Sequence, residues 1–263
     1  MEALPRQRPA LERLKDCQVV AHRGAHAGES ARFIENTLPA FEKAVSGQAW
    51  AIEVDVRWTS DGVPVIHHDS DCKRVHHFAK RVHETKFSNL RKGAPEIPTL
   101  EEVIQRFKGR AHLMIELKRK QNPWTKERLQ HFTEILKPLT PVNDFHLMSL
   151  ETDLLLKIAQ QDLFPKKSLL PIGTYTFPLV SKIALREGLA GITGHYALLS
   201  DAIIQKHREA GQKVGTGFIS SRSVLFRELN RGVNWIFTNH APEVTSMIRD
   251  EIASRSIESP GIN

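Results

Sequence analysis

Apolar strand-like runs alternate with helical patterns eight times along the chain, and polar residues capable of chemistry recur where those runs end. Both observations predict an α/β protein built as a closed, parallel, eight-stranded TIM (β/α)8 barrel, with its active site at the C-terminal ends of the strands. Size agrees, since 263 residues with 40% hydrophobic and 25% charged content suit one large barrel. The expectation is a single domain over residues 1–263, with its core at about 17–254.

The first predicted strand is Val19 to Ala21, and His22-Arg23-Gly24 stands at its exit. Glu35-Asn36-Thr37 precedes a helix from Leu38 to Val45. Asn36 or Thr37 can cap that helix, and Pro39 falls in its first turn, where a missing N–H costs nothing. A structural and a functional role for Glu35 and Asn36 both fit this pattern. Trp50 to Val56 reads as the second strand, Pro64 to His67 as extended, Pro98-Thr99 as the entry to a helix over Leu100 to Phe107, and Leu113 to Leu117 as the third strand. The second half offers strands near Phe145 to Met148, Ser168 to Pro171, Gly191 to Gly194, Lys213 to Gly217 and Trp235 to Thr238. Helices are expected near Thr125 to Leu136, Leu150 to Gln160, Leu179 to Arg186, Asp201 to Ala210, Ser223 to Leu229 and Pro242 to Ile252.

Residues i and i+2 of a strand share a face, so Glu53 and Asp55 project together from the second strand. Two carboxylates in an otherwise apolar strand are costly to bury without a cation. Glu116 and Lys118 repeat the spacing on the third strand, adding a third carboxylate and a fixed positive charge. An all-oxygen donor set favours one hard divalent cation, Mg²⁺ or Ca²⁺, over zinc. His22 and His68 each follow a strand-like run, and imidazole exchanges protons near neutral pH, so the pair supplies a general acid and a general base. Alternation along Val65 to Asp69 puts His67 and His68 on opposite faces and by itself leaves the choice between them open. Asp69 can orient an imidazole. The other histidines, including His76-His77 and His83, read as solvated loop residues.

The ordered set His22-Arg23-Gly24, Glu35-Asn36-Thr37, Glu53-Val54-Asp55, Asp61-Gly62-Val63-Pro64-Val65 with His68-Asp69, Ile97-Pro98-Thr99-Leu100-Glu101-Glu102-Val103 and Glu116-Leu117-Lys118 resembles the glycerophosphodiester phosphodiesterase family. The likeness runs from about Val19 to Val244, and six short motifs in this order are specific where each alone is weak. It implies a phosphoric diester hydrolase that converts a small-molecule glycerophosphodiester into glycerol 3-phosphate and an alcohol such as choline, ethanolamine or inositol. It selects His68 as the partner of His22. Residues and resemblance together make Glu53, Asp55 and Glu116 the metal ligands and Arg23 and Lys118 the phosphate-binding cations, with Glu35, Asn36 and Asp69 in support. Gly194 to Leu199 looks like the family's sixth-strand exit, which gives His195 a place in the substrate pocket or in turn packing.

Two stretches depart from the family's pattern. Val214 to Ile219 stands where the seventh strand commonly carries a Trp-Thr-Val-Asn stretch, leaving Phe218 as the candidate apolar wall for the glycerol part. Thr238-Asn239-His240-Ala241-Pro242 replaces a Thr-Asp-Arg-Pro-like closure, an exchange expected to touch stability rather than chemistry.

The formal charge of +7 is compatible with nucleic acid, anionic membranes or acidic small substrates. Lys73 to Lys92 holds seven Lys or Arg against Glu84, and Lys118, Arg119 and Lys120 follow the third acid. Both segments are expected to rim the reactive end, as a funnel for phosphate esters or as solvated loop. No aromatic interleaving or groove-reading motif argues for nucleic acid, so weak contact of the 73–92 loop with an anionic membrane is the remaining macromolecular reading. Met1 to Arg6 opens no secretory pattern, and no run reaches the roughly 18 apolar residues of a transmembrane segment, which points to a soluble, cytoplasmic protein. Cys17 and Cys72, expected toward opposite ends of the barrel, make no disulfide framework.

Three competing readings remain. A lysophospholipase D or sphingomyelinase D-like phosphodiesterase would place a lipid tail where a small head group otherwise sits, and a wide apolar groove at the mouth would favour it. An amidohydrolase-like barrel lacks its His-x-His pair on the first strand. A noncatalytic phosphate-ester-binding barrel is disfavoured by the presence of both histidines.

Overall fold

A computed structural model describes residues 7–119 and 123–258. Among them, eight parallel strands form the barrel: β1 (Gln18–Ala21), β2 (Ala51–Trp58), β3 (His112–Leu117), β4 (Phe145–Ser149), β5 (Leu169–Gly173), β6 (Gly191–His195), β7 (Lys213–Gly217) and β8 (Trp235–Thr238). Neighbours in the chain are neighbours in the sheet, and β1 pairs with both β8 and β2, so the sheet closes as the sequence predicts. The surrounding helices are α1 (Leu38–Ser46), α2 (Leu100–Phe107), α3 (Lys126–Leu136), α4 (Thr152–Gln160), α5 (Phe177–Glu187), α6 (Asp201–Glu209), α7 (Arg222–Arg231) and α8 (Ala241–Glu258). Among the described residues no helix is long and apolar enough to cross a membrane. Met1 to Arg6 and Lys120 lie outside them.

Strand alternation sorts the side chains. On β2, Ile52, Val54, Val56 and Trp58 join the core beneath the helices, while Ala51 belongs to the cluster inside the barrel. Glu53 and Asp55 share the inner face with Ala51. The N-terminal end of the lumen is plugged by aromatic rings. Trp50 stacks on His112 at 4.3 Å between centroids, Trp235 lies edge-on to His146, and His112 Nε2 is 2.8 Å from His146 Nδ1. The open end is therefore the C-terminal one.

Helix entries follow the sequence at some points and not at others. Thr99 opens α2 with a capping box: its hydroxyl accepts from the Glu102 N–H at 3.1 Å, and the Glu102 carboxylate accepts from the Thr99 N–H at 2.8 Å. Thr37 stands at the N-cap of α1, but its hydroxyl donates to the Ile34 carbonyl at 2.6 Å, so no side chain caps that helix. Helix α4 starts at Thr152 rather than Leu150, because the Glu151 N–H is drawn to Ser149 Oγ at 3.2 Å; Leu150 is left exposed on the rim. Helix α5 starts earlier than Leu179, with Pro178 in its first turn.

Between β2 and α2 an insertion folds back over the mouth. Pro64–Ile66 pairs antiparallel with the end of β2, and Asp71–Cys72 pairs with Phe78–Arg81. His76, expected in solvent, instead has a side chain only 3% exposed, because its ring packs against His67 at 5.4 Å. His77 is exposed. Cys17 and Cys72 are free thiols, and burial pushes their pKa values up to about 12 and about 11.

Candidate active site

The turn after β1 begins the site. Arg23 takes a left-handed conformation (φ 56°) and Gly24 follows at φ 83°, where a Cβ would sit 2.8 Å from the Ala40 carbonyl carbon. This turn aims the Arg23 backbone N–H at Glu53 Oε2, at 2.9 Å. Asp55 and Glu116 are register partners on β2 and β3, so their side chains emerge together. Oxygen atoms of Glu53, Asp55 and Glu116 lie within 4.8 Å of one another, and all three residues are buried.

Two cations touch this acidic face. Lys118 Nζ bridges Asp55 Oδ1 at 2.9 Å and Glu116 Oε1 at 2.6 Å. Arg23 Nε stands 3.3 Å from Asp55 Oδ2, and its Nη1 donates to Glu35 Oε1 at 3.0 Å. Asn36, in a left-handed conformation itself, donates from Nδ2 to Asp55 Oδ2 at 2.7 Å. Its amide serves the site and not the α1 terminus. Burial works against the Asp55 charge, yet Lys118 and Arg23 outweigh it and hold that carboxyl far below the usual range. Burial, with Asp55 and Glu116 nearby, pushes Glu53 well above the usual carboxylate range. Burial also lifts Glu116 to about 7 against the pull of Lys118.

Lys118 and Arg23 spend their charge on Asp55, Glu116 and Glu35, and the raised pKa values of Glu53 and Glu116 mark where a further positive charge would favour the carboxylate form. Glu53 Oε1 is buried without a hydrogen-bond partner. An orphaned carboxylate oxygen beside two further acids is a donor set suited to a hard divalent cation.

Each candidate histidine is held through Nδ1. His22 Nδ1 donates to Asn239 Oδ1 at 2.8 Å, and His68 Nδ1 donates to Asp69 Oδ1 at 2.7 Å. Both rings therefore keep Nε2 for the cavity. Burial, then the Arg23 charge, pushes the His22 pKa down to about 3; burial lowers His68 as well. Arg74 fixes Asp69 from behind, donating from Nε at 2.6 Å, and its two terminal nitrogens reach Glu35 at 2.6 and 3.0 Å. Arg57 donates twice to the His68 carbonyl, at 2.8 and 2.7 Å, pinning the loop that carries the ring. His67 is buried and spends Nε2 on the Asp71 carbonyl at 2.9 Å.

His22, Arg23, Glu53, His68, Glu116, Lys118, His195 and Phe218 all line one cavity of about 220 Å³. Phe218 stands edge-on to the His22 ring, 4.6 Å between centroids. His195 Nδ1 also accepts the Ala197 N–H at 3.2 Å, so it joins pocket lining to turn packing. Glu35, Asn36, Asp55 and Asp69 contact the lining residues from behind. The closure at 238–242 departs from expectation: Asn239 touches the His22 ring, so this segment bears on the site and not on stability alone.

The expected positive funnel is thinner than composition implies. Arg74 pairs with Glu35 and Asp69, Arg81 with Glu84, Arg91 with Glu102 and Arg119 with Asp153. Lys73, Lys80, Lys86 and Lys92 are exposed. No motif marks Asn239, Arg57 or Arg74 for the site, nor the apolar lining by Met148, Leu150, Ile172 and Phe237. A signal existed for Arg57, which stands at i+2 from Asp55 on the same strand face.

Residues 22–242 match the model of the glycerophosphoryl diester phosphodiesterase family. A glycerophosphodiester phosphodiesterase of Bacillus altitudinis is 27% identical, covering 87% of this chain and 98% of that protein. Glycerophosphodiester phosphodiesterase 1 of Mus musculus is 36% identical over 93 residues, 30% of this chain and 28% of that protein. The fold is similar to a solved phosphodiesterase of Oleispira antarctica, in complex with the product sn-glycerol-3-phosphate, with a TM-score of 0.76, 23% identity, and coverage of 88% of this chain and 96% of that one. A glycerophosphodiester phosphodiesterase of Thermotoga maritima gives a TM-score of 0.74 at 22% identity, over 88% and 98% of the two chains.

Proposed function

Because the chain belongs to the glycerophosphoryl diester phosphodiesterase family and is a phosphoric diester hydrolase, we propose that it hydrolyses glycerophosphodiesters to glycerol 3-phosphate and an alcohol, with His22 and His68 as acid and base. The observation that carries this reading is the convergence of two Nε2-free imidazoles, three buried carboxylates and two cations on one cavity.

Glu53, Asp55 and Glu116 would hold a divalent cation, Mg²⁺ or Ca²⁺, which when bound supplies Lewis-acid polarisation of a phosphoryl oxygen. Arg23 and Lys118 place fixed positive charge beside the phosphoryl group and counter the charge that builds there in the transition state. One imidazole takes the proton of the attacking hydroxyl, and the other delivers a proton to the departing alcohol. The new P–O bond forms as the P–O bond to the alcohol breaks. Asn239 and Asp69 hold the two rings in the tautomer with Nε2 open, and Phe218 shields the His22 ring from bulk water.

Release of glycerol 3-phosphate from glycerophosphocholine and glycerophosphoethanolamine, with Mg²⁺, Ca²⁺ or EDTA, tests the proposal. His22→Ala, His68→Ala and Glu53→Ala are each expected to cut the rate by on the order of a hundredfold or more. Absence of release from either diester by the unaltered, metal-supplied protein would sink it.

A further inference from the structure

One residue of the insertion braces the reactive cavity from behind. Asp71 Oδ1 accepts the Lys73 N–H at 3.0 Å and starts a single helical turn over Lys73–His76, which directs Arg74 back toward the barrel mouth. There the guanidinium divides itself between two acids from different segments. Nε donates to Asp69 Oδ2 at 2.6 Å, while Nη2 and Nη1 donate to Glu35 Oε1 and Oε2 at 2.6 and 3.0 Å. Each acid in turn holds a group of the cavity. The other oxygen of Asp69 accepts from His68 Nδ1 at 2.7 Å, and Glu35 Oε1 also accepts from Arg23 Nη1 at 3.0 Å. His68, Asp69, Arg74, Glu35 and Arg23 therefore form one chain of contacts with Arg74 at its centre.

Two features set this arrangement apart from an isolated surface ion pair, which contributes little. The first is what the fork does to its acids. Burial disfavours the charge on Glu35 and on Asp69, yet hydrogen bonds from Arg74 outweigh it and hold both carboxyls down at about 2. An ionised carboxylate only accepts, so Asp69 keeps its oxygen for His68 Nδ1–H and Glu35 keeps its own for Arg23. Without the guanidinium the two carboxylates would lose the cation they share, and each would turn away with the reactive group it holds. The second feature is that the insertion does not rely on Arg74 for its attachment. Val65, Cys72, Val82, Leu90 and Ile97 pack it down as an apolar cluster of their own.

On the premise of the phosphodiesterase reading above, we propose that Arg74 is a positioning residue for the reaction, setting the His68 ring through Asp69 and the Arg23 guanidinium through Glu35. One side chain of the insertion thereby fixes a proton-transfer group and a phosphate-binding cation relative to each other. Its planar fork is what allows this, since a single ammonium cannot span both acids.

The test is hydrolysis of glycerophosphocholine and glycerophosphoethanolamine with saturating Mg²⁺ or Ca²⁺. Arg74→Met keeps the aliphatic stem at a half-exposed position and is expected to lower kcat/KM by on the order of tenfold to a hundredfold. The loss divides into a lower kcat through His68 and a higher KM through Arg23. Asp69→Asn and Glu35→Gln cut the two arms one at a time. Added to Asp69→Asn, Arg74→Met is expected to raise KM and leave kcat alone; added to Glu35→Gln, it lowers kcat and leaves KM alone. With both acids replaced it changes neither. Arg74→Lys keeps the charge without the fork, so one of the two parameters recovers. A residue that only fastened the insertion would lower Tm and give the same fold-loss in every background. That additive result, unchanged kcat and KM in Arg74→Met, or full recovery in Arg74→Lys would overturn the bridging role and leave the phosphodiesterase reading standing. Failure of the unaltered protein on both diesters would remove that reading, and this inference with it.

Discussion

Asn239 and Asp69 perform the same task on the two histidines by different means. Both accept from Nδ1, but Asp69 brings a charge that stabilises imidazolium, while Asn239 is neutral. Asn239→Leu removes the acceptor and is expected to lower kcat by on the order of tenfold to a hundredfold, because His22 loses its orientation and tautomer. Asn239→Asp restores the acceptor and adds a charge. An adjacent carboxylate favours the protonated ring, so the limb of the pH–kcat/KM profile that belongs to His22 is expected to move to higher pH. An unmoved profile in an active Asn239→Asp protein would show that this contact does not govern the ring.

At the scale of the element, β2 and β3 are the most legible part of the chain. Period-two alternation announced which acids share a face, and the register pairing Asp55 with Glu116 brings those faces together. The expected stabilisation follows from that face. Mg²⁺ or Ca²⁺ at a hundred times its dissociation constant should raise stability by about 2.7 kcal/mol, read as an upward shift in Tm. Glu53→Gln is expected to remove most of the shift; an equal shift in both proteins would place ion binding elsewhere. Loops were less legible because their contacts come from distant segments. His22 and Asn239 are 217 residues apart in the chain, and Arg74 reaches Glu35 across 39. The apolar lining of the cavity is not legible in the sequence, because Met148, Ile172 and Phe237 look like any strand core residue until the closed barrel turns them toward the mouth. The helix expected over Leu38 to Val45 spans Leu38–Ser46, although Asn36, a residue able to cap it, donates to Asp55 instead.

For the whole molecule, closure of the sheet divides the lumen into an aromatic and imidazole plug at one end and a reactive mouth at the other. The plug carries an acid liability. Burial pushes His112 down to about 4 and His146 down to about 3, from the ordinary value near 6.5. Below about pH 6.5 the unfolded chain binds protons at these rings that the folded chain does not, so stability is full above that pH and falls progressively toward pH 4 and 3. His146→Gln keeps a side chain that can meet His112 Nε2 while removing one titrating group. Its urea midpoint should decline less steeply with acid than that of the unaltered protein, and parallel declines would contradict this assignment.

The reaction itself takes place at the mouth. Hydrolysis of glycerophosphocholine in ¹⁸O-enriched water, with Mg²⁺ or Ca²⁺ present and the products weighed by mass spectrometry, reads directly whether the chain breaks a P–O bond. The proposed hydrolysis leaves one heavy oxygen in glycerol 3-phosphate and none in choline, with no products when EDTA replaces the metal. Label in the alcohol, or undiminished hydrolysis in EDTA, would contradict it.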